Sequence, residues 1–265
     1  MSVDLLTLGD GCRLAWSSDG DPAAPPLILS NSLGTDRTMW TPQLAALAER
    51  FRVIRYDTRG HGASDAPPGG YGLDRLGRDV LELADALGLT RFAFCGLSLG
   101  GMTGQWLGVR AGDRLTRLVI ANSAPFMGPP SAWDARIATV RNAGMAAIAE
   151  AVVERWFTPE FRADPANSAA ILATLRATDP QGYAGCCAAI RDMDMRPQLG
   201  LIATPTLMIG GARDPATPPE QTAALIDGIA GATGVMLDAA HLSNLEHPTA
   251  FTDALLDHLK NITGE

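Results

Sequence analysis

A serine between two glycines is the residue of this sequence best suited to nucleophilic chemistry. Ser98 lies in Gly96-Leu-Ser-Leu-Gly100, after a short apolar run that predicts a strand and before a pattern that predicts a helix. The glycines have no Cβ and permit the strained strand-to-helix turn that lifts a serine hydroxyl above a sheet. The start of the helix adds positive potential where an oxyanion would form. We predict that Ser98 is a catalytic nucleophile; a tight glycine turn with an incidental serine is the alternative.

A serine hydroxyl needs a neighbouring base before it can attack a substrate. The chain has four histidines: His61, His241, His247 and His258. His241 follows the last predicted strand, so it should lie at the carboxyl edge of the sheet beside Ser98. His61 lies in a glycine-rich loop, where a role in organising the loop is favoured, and the other two are interpreted as surface residues of the terminal helix. We predict that His241 is the general base.

The base in turn needs an acid that orients its ring. Asp214 follows the last but one predicted strand and should lie at the same edge of the sheet as His241. Asp238 is the rival, but it is three residues before His241 and would point poorly at so near a neighbour. We therefore favour Asp214 as the acid.

The oxyanion of a tetrahedral intermediate needs two backbone N–H donors. One should come from Leu99, the residue after the nucleophile, and the other from the loop after the first predicted parallel strand. That loop reads Asn31-Ser-Leu-Gly34, and we predict that Leu33 is its donor. The same residue types are common in ordinary turns, which is the alternative for this loop.

The elements that must position these residues alternate along most of the chain. After an N-terminal hairpin around Gly9-Asp-Gly11, the predicted strands are 26–30, 51–56, 91–95, 115–121, 206–209 and 234–237. The predicted helices are about 39–49, 73–87, 99–111, 218–229 and 248–261. Continuous apolar runs suit strands buried on both faces, and the alternation predicts a doubly wound, mostly parallel α/β sheet.

One long segment, residues 126–196, contains no convincing strand. The predicted helices in it are Ser131–Asn142, Met145–Phe157, Pro165–Thr178 and Gln181–Met193. Connections within α/β units are short, so this segment is too long for a plain crossover. We interpret it as a helical cap over the carboxyl edge of the sheet, where such sheets bind their ligands. The core domain would then comprise residues 1–125 and 197–265.

Composition excludes several classes of protein. Hydrophobic residues make up 46% of the 265-residue chain and charged residues 19%, which excludes intrinsic disorder. The net charge of −8 argues against nucleic acid or an anionic membrane as partner. No run of 18 apolar residues predicts a membrane span, and the start does not resemble a signal peptide, so we expect a cytoplasmic protein. The oligomeric state stays open.

The four cysteines do not indicate a metal site or a redox centre. They are Cys12, Cys95, Cys186 and Cys187, and none has the C-x-x-C spacing of a zinc ligand pair. Adjacent Cys186 and Cys187 are interpreted as packing residues of a helix. We predict that the protein has no metal site.

With these motifs the chain resembles the α/β-hydrolase family, and more narrowly the 3-oxoadipate enol-lactonases of aromatic catabolism. The resemblance covers nearly the whole chain, and the order Ser98, Asp214, His241 is that of the family's catalytic triad. Its more specific segments are Asn31-Ser-Leu-Gly-Thr35 and Cys186-Cys-Ala-Ala-Ile-Arg191. One departure is Leu99, where the family often has Met. That change leaves the backbone donor intact.

The resemblance implies an eight-stranded, mostly parallel sheet with flanking helices and a helical cap. It also implies hydrolysis, without a cofactor, of a small anionic lactone that bears a carboxymethyl group, as in the β-ketoadipate pathway. A broader carboxylesterase or perhydrolase-like enzyme on the same fold is an alternative. A non-enzymatic receptor is a third reading, because fold alone does not define function.

An anionic substrate requires a cation in a protein of net charge −8. Arginine offers a bidentate fork for a carboxylate, and we expect Arg191 of the cap to provide it. Pairing of Arg191 with a neighbouring aspartate at a helix end is an equal alternative. Arg59 is a further candidate, although a structural role is favoured for it. The resemblance also places Trp156 in the substrate site.

Overall fold

The described residues form one eight-stranded sheet. The structure is a computed structural model that describes residues 3–260, so the first two and last five residues, with the end of the predicted terminal helix, lie outside it. The strands are β1 (Asp4–Thr7), β2 (Arg13–Asp19), β3 (Pro26–Ser30), β4 (Arg52–Tyr56), β5 (Phe92–Leu97), β6 (Leu115–Ala121), β7 (Thr206–Gly211) and β8 (Thr233–Leu237). Their order in the sheet is β1-β2-β4-β3-β5-β6-β7-β8.

The sheet is mostly parallel, which confirms the predicted fold class. β1 and β2 form the antiparallel hairpin, and β2 also runs antiparallel to β4. All other neighbouring strands are parallel. β5 is buried at every residue, as its continuous apolar run predicts. It ends at Leu97, two residues later than predicted, so the nucleophile candidate follows the strand directly.

The α-helices lie in the chain positions that the sequence predicts, with two short additions. They are α1 (Thr41–Ala48), α2 (Leu73–Ala86), α3 (Leu99–Arg110), α4 (Pro130–Ala143), α5 (Ala149–Trp156), α6 (Pro159–Arg162), α7 (Ala166–Ala177), α8 (Pro180–Asp192), α9 (Pro219–Gly228), α10 (Ser243–Glu246) and α11 (Pro248–His258). Short 3-10 helices occupy Arg37–Trp40, Gly112–Arg114, Met145–Ala147 and Arg196–Leu201. The additions are α6 and α10, each only four residues long.

Helix α3, which begins after the nucleophile candidate, is held in place by α2. The buried residues Leu76, Val80 and Leu83 of α2 repeat at the spacing of one helix face. A Cβ at Gly77 of α2 would lie 1.9 Å from the ring of Trp106 in α3. Because only glycine leaves room for that ring, α2 and α3 pack closely.

The segment 126–196 between β6 and β7 is helical, as predicted. It contains α4 to α8, and its only extended pairing among described residues is the isolated bridge between Phe126 and Asp194. The helix predicted for residues 145–157 is divided, because Ile148 has φ −120° and ψ −13°, outside helical geometry. Cys186 and Cys187 are buried in α8. The division of the chain into core and cap remains our interpretation.

The helical segment meets the loop after β4 backbone to backbone at a pair of glycines. A Cβ at Gly182 in α8 would lie 2.2 Å from the Cα of Gly60, and a Cβ at Gly60 would lie 2.4 Å from the Cα of Gly182. The Sγ of Cys186 lies 3.6 Å from the carbonyl oxygen of Arg59. The loop after β4 therefore fixes the position of α8.

Candidate active site

Ser98 lies in a strained turn between β5 and α3. Its φ of 57° and ψ of −112° are uncommon for a residue other than glycine. The end of β6 holds the turn, because the Ser98 N–H donates to the Ala121 oxygen and the Ser123 hydroxyl donates to the Ser98 oxygen, both at 2.9 Å. A Cβ at Gly96 would lie 2.1 Å from the Gly100 oxygen. The glycine pattern thus meets a steric requirement of the turn.

His241 and Asp214 form a buried pair at the carboxyl edge of the sheet. Nδ1 of His241 lies 2.8 Å from Oδ2 of Asp214. Burial raises the pKa of Asp214, but the His241 ring and hydrogen bonds from Thr217 hold that pKa below its ordinary value. With Nδ1–H donated to the carboxylate, Nε2 of the neutral ring can accept a proton. His241 and Ser98 line the same cavity.

The Asp214 carboxylate is held by further donors that sequence analysis missed. Oδ1 accepts from the backbone of Ala216 at 2.8 Å and of Thr217 at 3.0 Å. Oδ2 accepts from Oγ1 of Thr217 at 2.7 Å and from Nδ2 of Asn122 at 3.1 Å. The Ser243 hydroxyl donates to the Asn122 amide oxygen at 2.6 Å. Asn122 directly follows β6 at the carboxyl edge, and that position was the available signal.

The rival acid, Asp238, does not reach the histidine ring. Its carboxylate pairs with Nε of Arg213 at 3.0 Å, and its side chain is 80% exposed. Its backbone oxygen lies 2.8 Å from Nε2 of His247. The structure therefore places Asp214, and not Asp238, beside His241.

The two predicted oxyanion donors lie in two segments that touch each other: Leu99 begins α3, and Leu33 lies in the loop after β3. The N–H groups next to them are occupied: Gly34 donates to Nε2 of His61 at 2.8 Å, and Gly100 donates to the Asn31 oxygen at 3.0 Å. Within residues 3–260, the N–H groups of Leu33 and Leu99 make no such bond. Leu33 lines the cavity, and the Asn31 contact joins its loop to the first turn of α3.

His61 organises its own glycine-rich loop, as predicted, and also bonds to the loop that carries Leu33. Nδ1 lies 3.2 Å from the Arg59 oxygen, which makes Nδ1 the donor and leaves Nε2 to accept from Gly34. Burial lowers the pKa of His61 to about 4, despite hydrogen bonding to the Arg59 backbone and the nearby carboxylates of Asp36 and Asp179. The ring is therefore neutral near pH 7 and acts as an acceptor.

The cavity in front of Ser98 has a volume of about 200 Å³. Drug-sized ligands occupy pockets of roughly 300–1,000 Å³, so this one suits a smaller molecule. Helices α4, α5 and α8 contribute to its wall together with the loops of the sheet edge. Trp156, expected in the substrate site, lies at the end of α5 and lines the cavity.

Neither arginine expected to hold a substrate carboxylate lies at the cavity, which corrects that expectation. Arg191 pairs with Asp134 at 2.8 Å and with Asp192 at 2.7 Å, which is the helix-end alternative. Arg59 is buried between Asp79 at 2.6 Å and Asp10 at 2.8 Å. Carboxylates of the protein already occupy both guanidinium groups.

Two other arginines line the cavity, Arg136 of α4 and Arg155 of α5. In the described part of the chain, neither forms an ion pair with a carboxylate. Arg136 stacks over the ring of Trp133 at 5.1 Å, and Arg155 donates to the Pro215 oxygen at 3.3 Å. Burial and the neighbouring Arg136 cation lower the pKa of Arg155. Sequence analysis missed both, although Arg155 adjoins the predicted Trp156.

Two further observations concern the described residues as a whole. They contain no group of three or more His, Cys, Asp or Glu side chains placed to hold a metal ion. No helix between residues 3 and 260 has the length and apolar character needed to cross a membrane.

Fold and site together define a class of enzyme. Residues 25–248 match the family model of the alpha/beta hydrolase fold. The chain therefore belongs to the α/β-hydrolase fold family, as its motifs predicted, and it is a carboxylic ester hydrolase.

Within that family the chain is similar to enol-lactonases. 3-Oxoadipate enol-lactonase 2 of Acinetobacter baylyi is 43% identical over 253 residues, covering 95% of this chain and 94% of the relative. The crystal structure of the enol-lactonase from Burkholderia xenovorans LB400 superposes with a TM-score of 0.95 at 45% identity, covering 97% of this chain and 99% of that one. A hydrolase structure from Pseudomonas aeruginosa PA01 gives 0.95 at 49% identity, covering 97% and 98%. The resemblance predicted from the motifs is confirmed.

Proposed function

We propose that this chain hydrolyses 3-oxoadipate enol-lactone to 3-oxoadipate, with Ser98, His241 and Asp214 as its catalytic triad. One observation carries the proposal. The cavity that holds Ser98 and the Asp214-paired His241 also holds two arginines without carboxylate partners. A lactone with a carboxymethyl group would supply both the ester for the serine and the carboxylate for the arginines. The enol-lactonase relatives support the same substrate.

The first half of the reaction opens the ring. Ser98 Oγ attacks the lactone carbonyl while Nε2 of His241 takes its proton, and Asp214 stabilises the resulting imidazolium. The N–H groups of Leu33 and Leu99 would hold the oxyanion of the tetrahedral intermediate. Collapse of the intermediate expels an enolate, a better leaving group than an alkoxide, which remains attached to the acyl chain. His241 returns the proton to it.

The second half releases the product. The opened enol tautomerises to a ketone, and water, activated by His241, attacks the acyl-enzyme ester of Ser98. The product therefore carries one carboxylate from the lactone and one from the original carboxymethyl group. Neither half requires a cofactor.

The two cavity arginines would bind the substrate carboxylate. Two guanidinium groups without a counter-ion repel each other, and the lowered pKa of Arg155, caused by burial and then by Arg136, reflects this. An anion between them would relieve the repulsion and accept bidentate hydrogen bonds. This local cation pair would also let an acidic protein bind an acidic substrate.

The deciding experiment compares the enol-lactone with p-nitrophenyl acetate, butyrate and octanoate as substrates of the same preparation. We expect the highest kcat/KM on the enol-lactone and loss of all activities in Ser98→Ala. A higher kcat/KM on a p-nitrophenyl ester would indicate the broader carboxylesterase. The apolar side of the cavity, which includes Met102 and Val152, could bind the acyl chain of such an ester. Failure of a fluorophosphonate to label Ser98 would instead indicate a non-enzymatic receptor.

We also infer a cytoplasmic location. All four cysteines are buried and unpaired, as is usual in a reducing compartment. Fractionation of cells that express the protein tests this inference.

A further inference from the structure

The hydroxyl of Ser32 is a buried polar group without a partner, and the residue lines the cavity. The residue is 2% exposed and lines the same cavity as Ser98. Its Oγ makes no hydrogen bond within the described residues. Buried hydroxyls are almost always satisfied, so an orphan one requires an explanation.

Other polar groups of the loop around this hydroxyl are hydrogen-bonded within the protein. The Asn31 side chain donates to the Tyr56 oxygen at 2.8 Å and accepts from Nε1 of Trp40 at 3.0 Å. The Ser32 carbonyl accepts both the backbone N–H of Thr35 at 3.2 Å and its hydroxyl at 2.8 Å. A serine in a turn commonly bonds to nearby backbone, and here those acceptors are already engaged. The loop is thus held firmly, and among the described residues the Ser32 hydroxyl and the Leu33 N–H are left without a partner.

The location of the Ser32 hydroxyl indicates which group of a ligand it can contact. Ser32 is adjacent to Leu33, the proposed oxyanion donor, and its loop touches the nucleophile turn through the bond from the Gly100 N–H to the Asn31 oxygen. A Cβ at Gly100 would lie 2.3 Å from the Ser30 oxygen, which shows how closely the two segments approach. Serine has a single heavy-atom torsion with three staggered positions, so its hydroxyl can turn toward a ligand.

We propose that the Ser32 hydroxyl contacts the substrate directly and donates a hydrogen bond to the scissile ester group. It would add a side-chain donor to the backbone N–H groups of Leu33 and Leu99. The bond stabilises the negative charge that develops when Ser98 attacks, so it is stronger in the transition state than in the ground state. This inference rests on the proposed role of Ser98 but not on the identity of the lactone, because every ester substrate has the scissile group.

The test uses Ser32→Ala, with Ser17→Ala as the matched control. Ser17 lies in β2, away from the cavity, and its hydroxyl is also buried without a partner. Both variants are assayed on the enol-lactone and on p-nitrophenyl acetate, and both are melted. We expect Ser32→Ala to lower kcat about a hundredfold on both substrates, the lower end of the range for one lost oxyanion donor. KM should change little, and the melting temperature should not fall, because no internal bond is removed. Ser17→Ala should match the wild type in kinetics.

Three results would overturn the inference. Kinetics within twofold of the wild type on both substrates would show that the hydroxyl does not touch the reacting group. A loss on the enol-lactone alone would place the contact on another part of that substrate. A clear fall in melting temperature would show that the hydroxyl has a structural partner. A wild type that hydrolyses p-nitrophenyl acetate but not the lactone would refute only the proposed function, and the ester assay would still test Ser32.

Discussion

Replacing His61 by glutamine should make the protein less sensitive to acid. Burial lowers the pKa of His61 to about 4, against 6.5 for an ordinary histidine. The unfolded chain therefore takes up a proton near pH 6.5 that the folded chain refuses until about pH 4. Above 6.5 the neutral ring contributes its full stabilisation, and this contribution is lost as the pH falls toward 4. Glutamine does not titrate, and its amide oxygen can still accept from the Gly34 N–H.

The size of the effect follows from the two pKa values. Each pKa unit is worth about 1.36 kcal/mol, so the difference of roughly 2.5 units corresponds to about 3 kcal/mol when the pH lies below both values. Most of this stabilisation, about 2 kcal/mol, is lost when the pH falls from 7 to 4.5. We expect wild type to lose that much more unfolding free energy than His61→Gln over the same interval.

Urea denaturation at pH 7 and pH 4.5 gives the change in unfolding free energy for each protein. Subtracting the change in His61→Gln from the change in wild type cancels the titration of all other groups. If the difference in unfolding free energy between the two proteins were the same at both pH values, the argument that His61 is buried and neutral would be refuted.

Variants of His61 also report, at pH 7, on the loop that carries the proposed oxyanion donor Leu33. His61→Ala removes the acceptor for Gly34 and should lower kcat more than His61→Gln does.

Three further predictions concern catalysis. Ser98→Ala should reduce turnover by several orders of magnitude, on the order of 10⁶, with an unchanged circular dichroism spectrum; more than a hundredth of wild-type activity would contradict the nucleophile assignment. Asp214→Asn should lower kcat by about 10⁴ and Asp238→Asn far less, and the reverse ranking would transfer the acid role. Arg136→Met and Arg155→Met should each cost about 2–5 kcal/mol in enol-lactone kcat/KM but leave p-nitrophenyl acetate nearly unaffected; equal losses on both substrates would indicate a structural role.

Sequence patterns predicted the parts of the site that follow from strand ends. Ser98 directly follows a buried strand, Asp214 lies three residues after another, and His241 lies four residues after the exposed edge strand β8. Parallel strands bring their carboxyl ends to one edge. The pairing of Asp214 with His241 could therefore be predicted without knowledge of side-chain contacts. Asn122 also follows a strand and could have been found in the same way.

The cap was harder to interpret, because a helix periodicity shows which face is apolar but not what that face meets. Arg191 lies in a segment that resembles the family, yet its charge is neutralised by Asp134 on a different helix, 57 positions away. Arg136 carries no sequence signal that separates it from the other arginines, and the signal available for Arg155 was its position beside Trp156. Only the packing of α4 and α5 shows that these two arginines line the cavity and, among the described residues, have no carboxylate partner.

The backbone contact between Gly60 and Gly182 has a consequence for how this protein can vary. One glycine lies in a loop of the sheet edge and the other in α8, 122 positions apart, and neither tolerates a Cβ while the other stays in place. The two segments consequently cannot be exchanged independently. A chimera can take its helical segment from a relative. It keeps the binding cavity only if the residues at positions 60 and 182 are both still glycine, so that the loop and α8 can approach each other. Cavity-facing residues of α4 and α5 can therefore be varied without meeting this contact, whereas the contact at α8 limits which donor segments will fit.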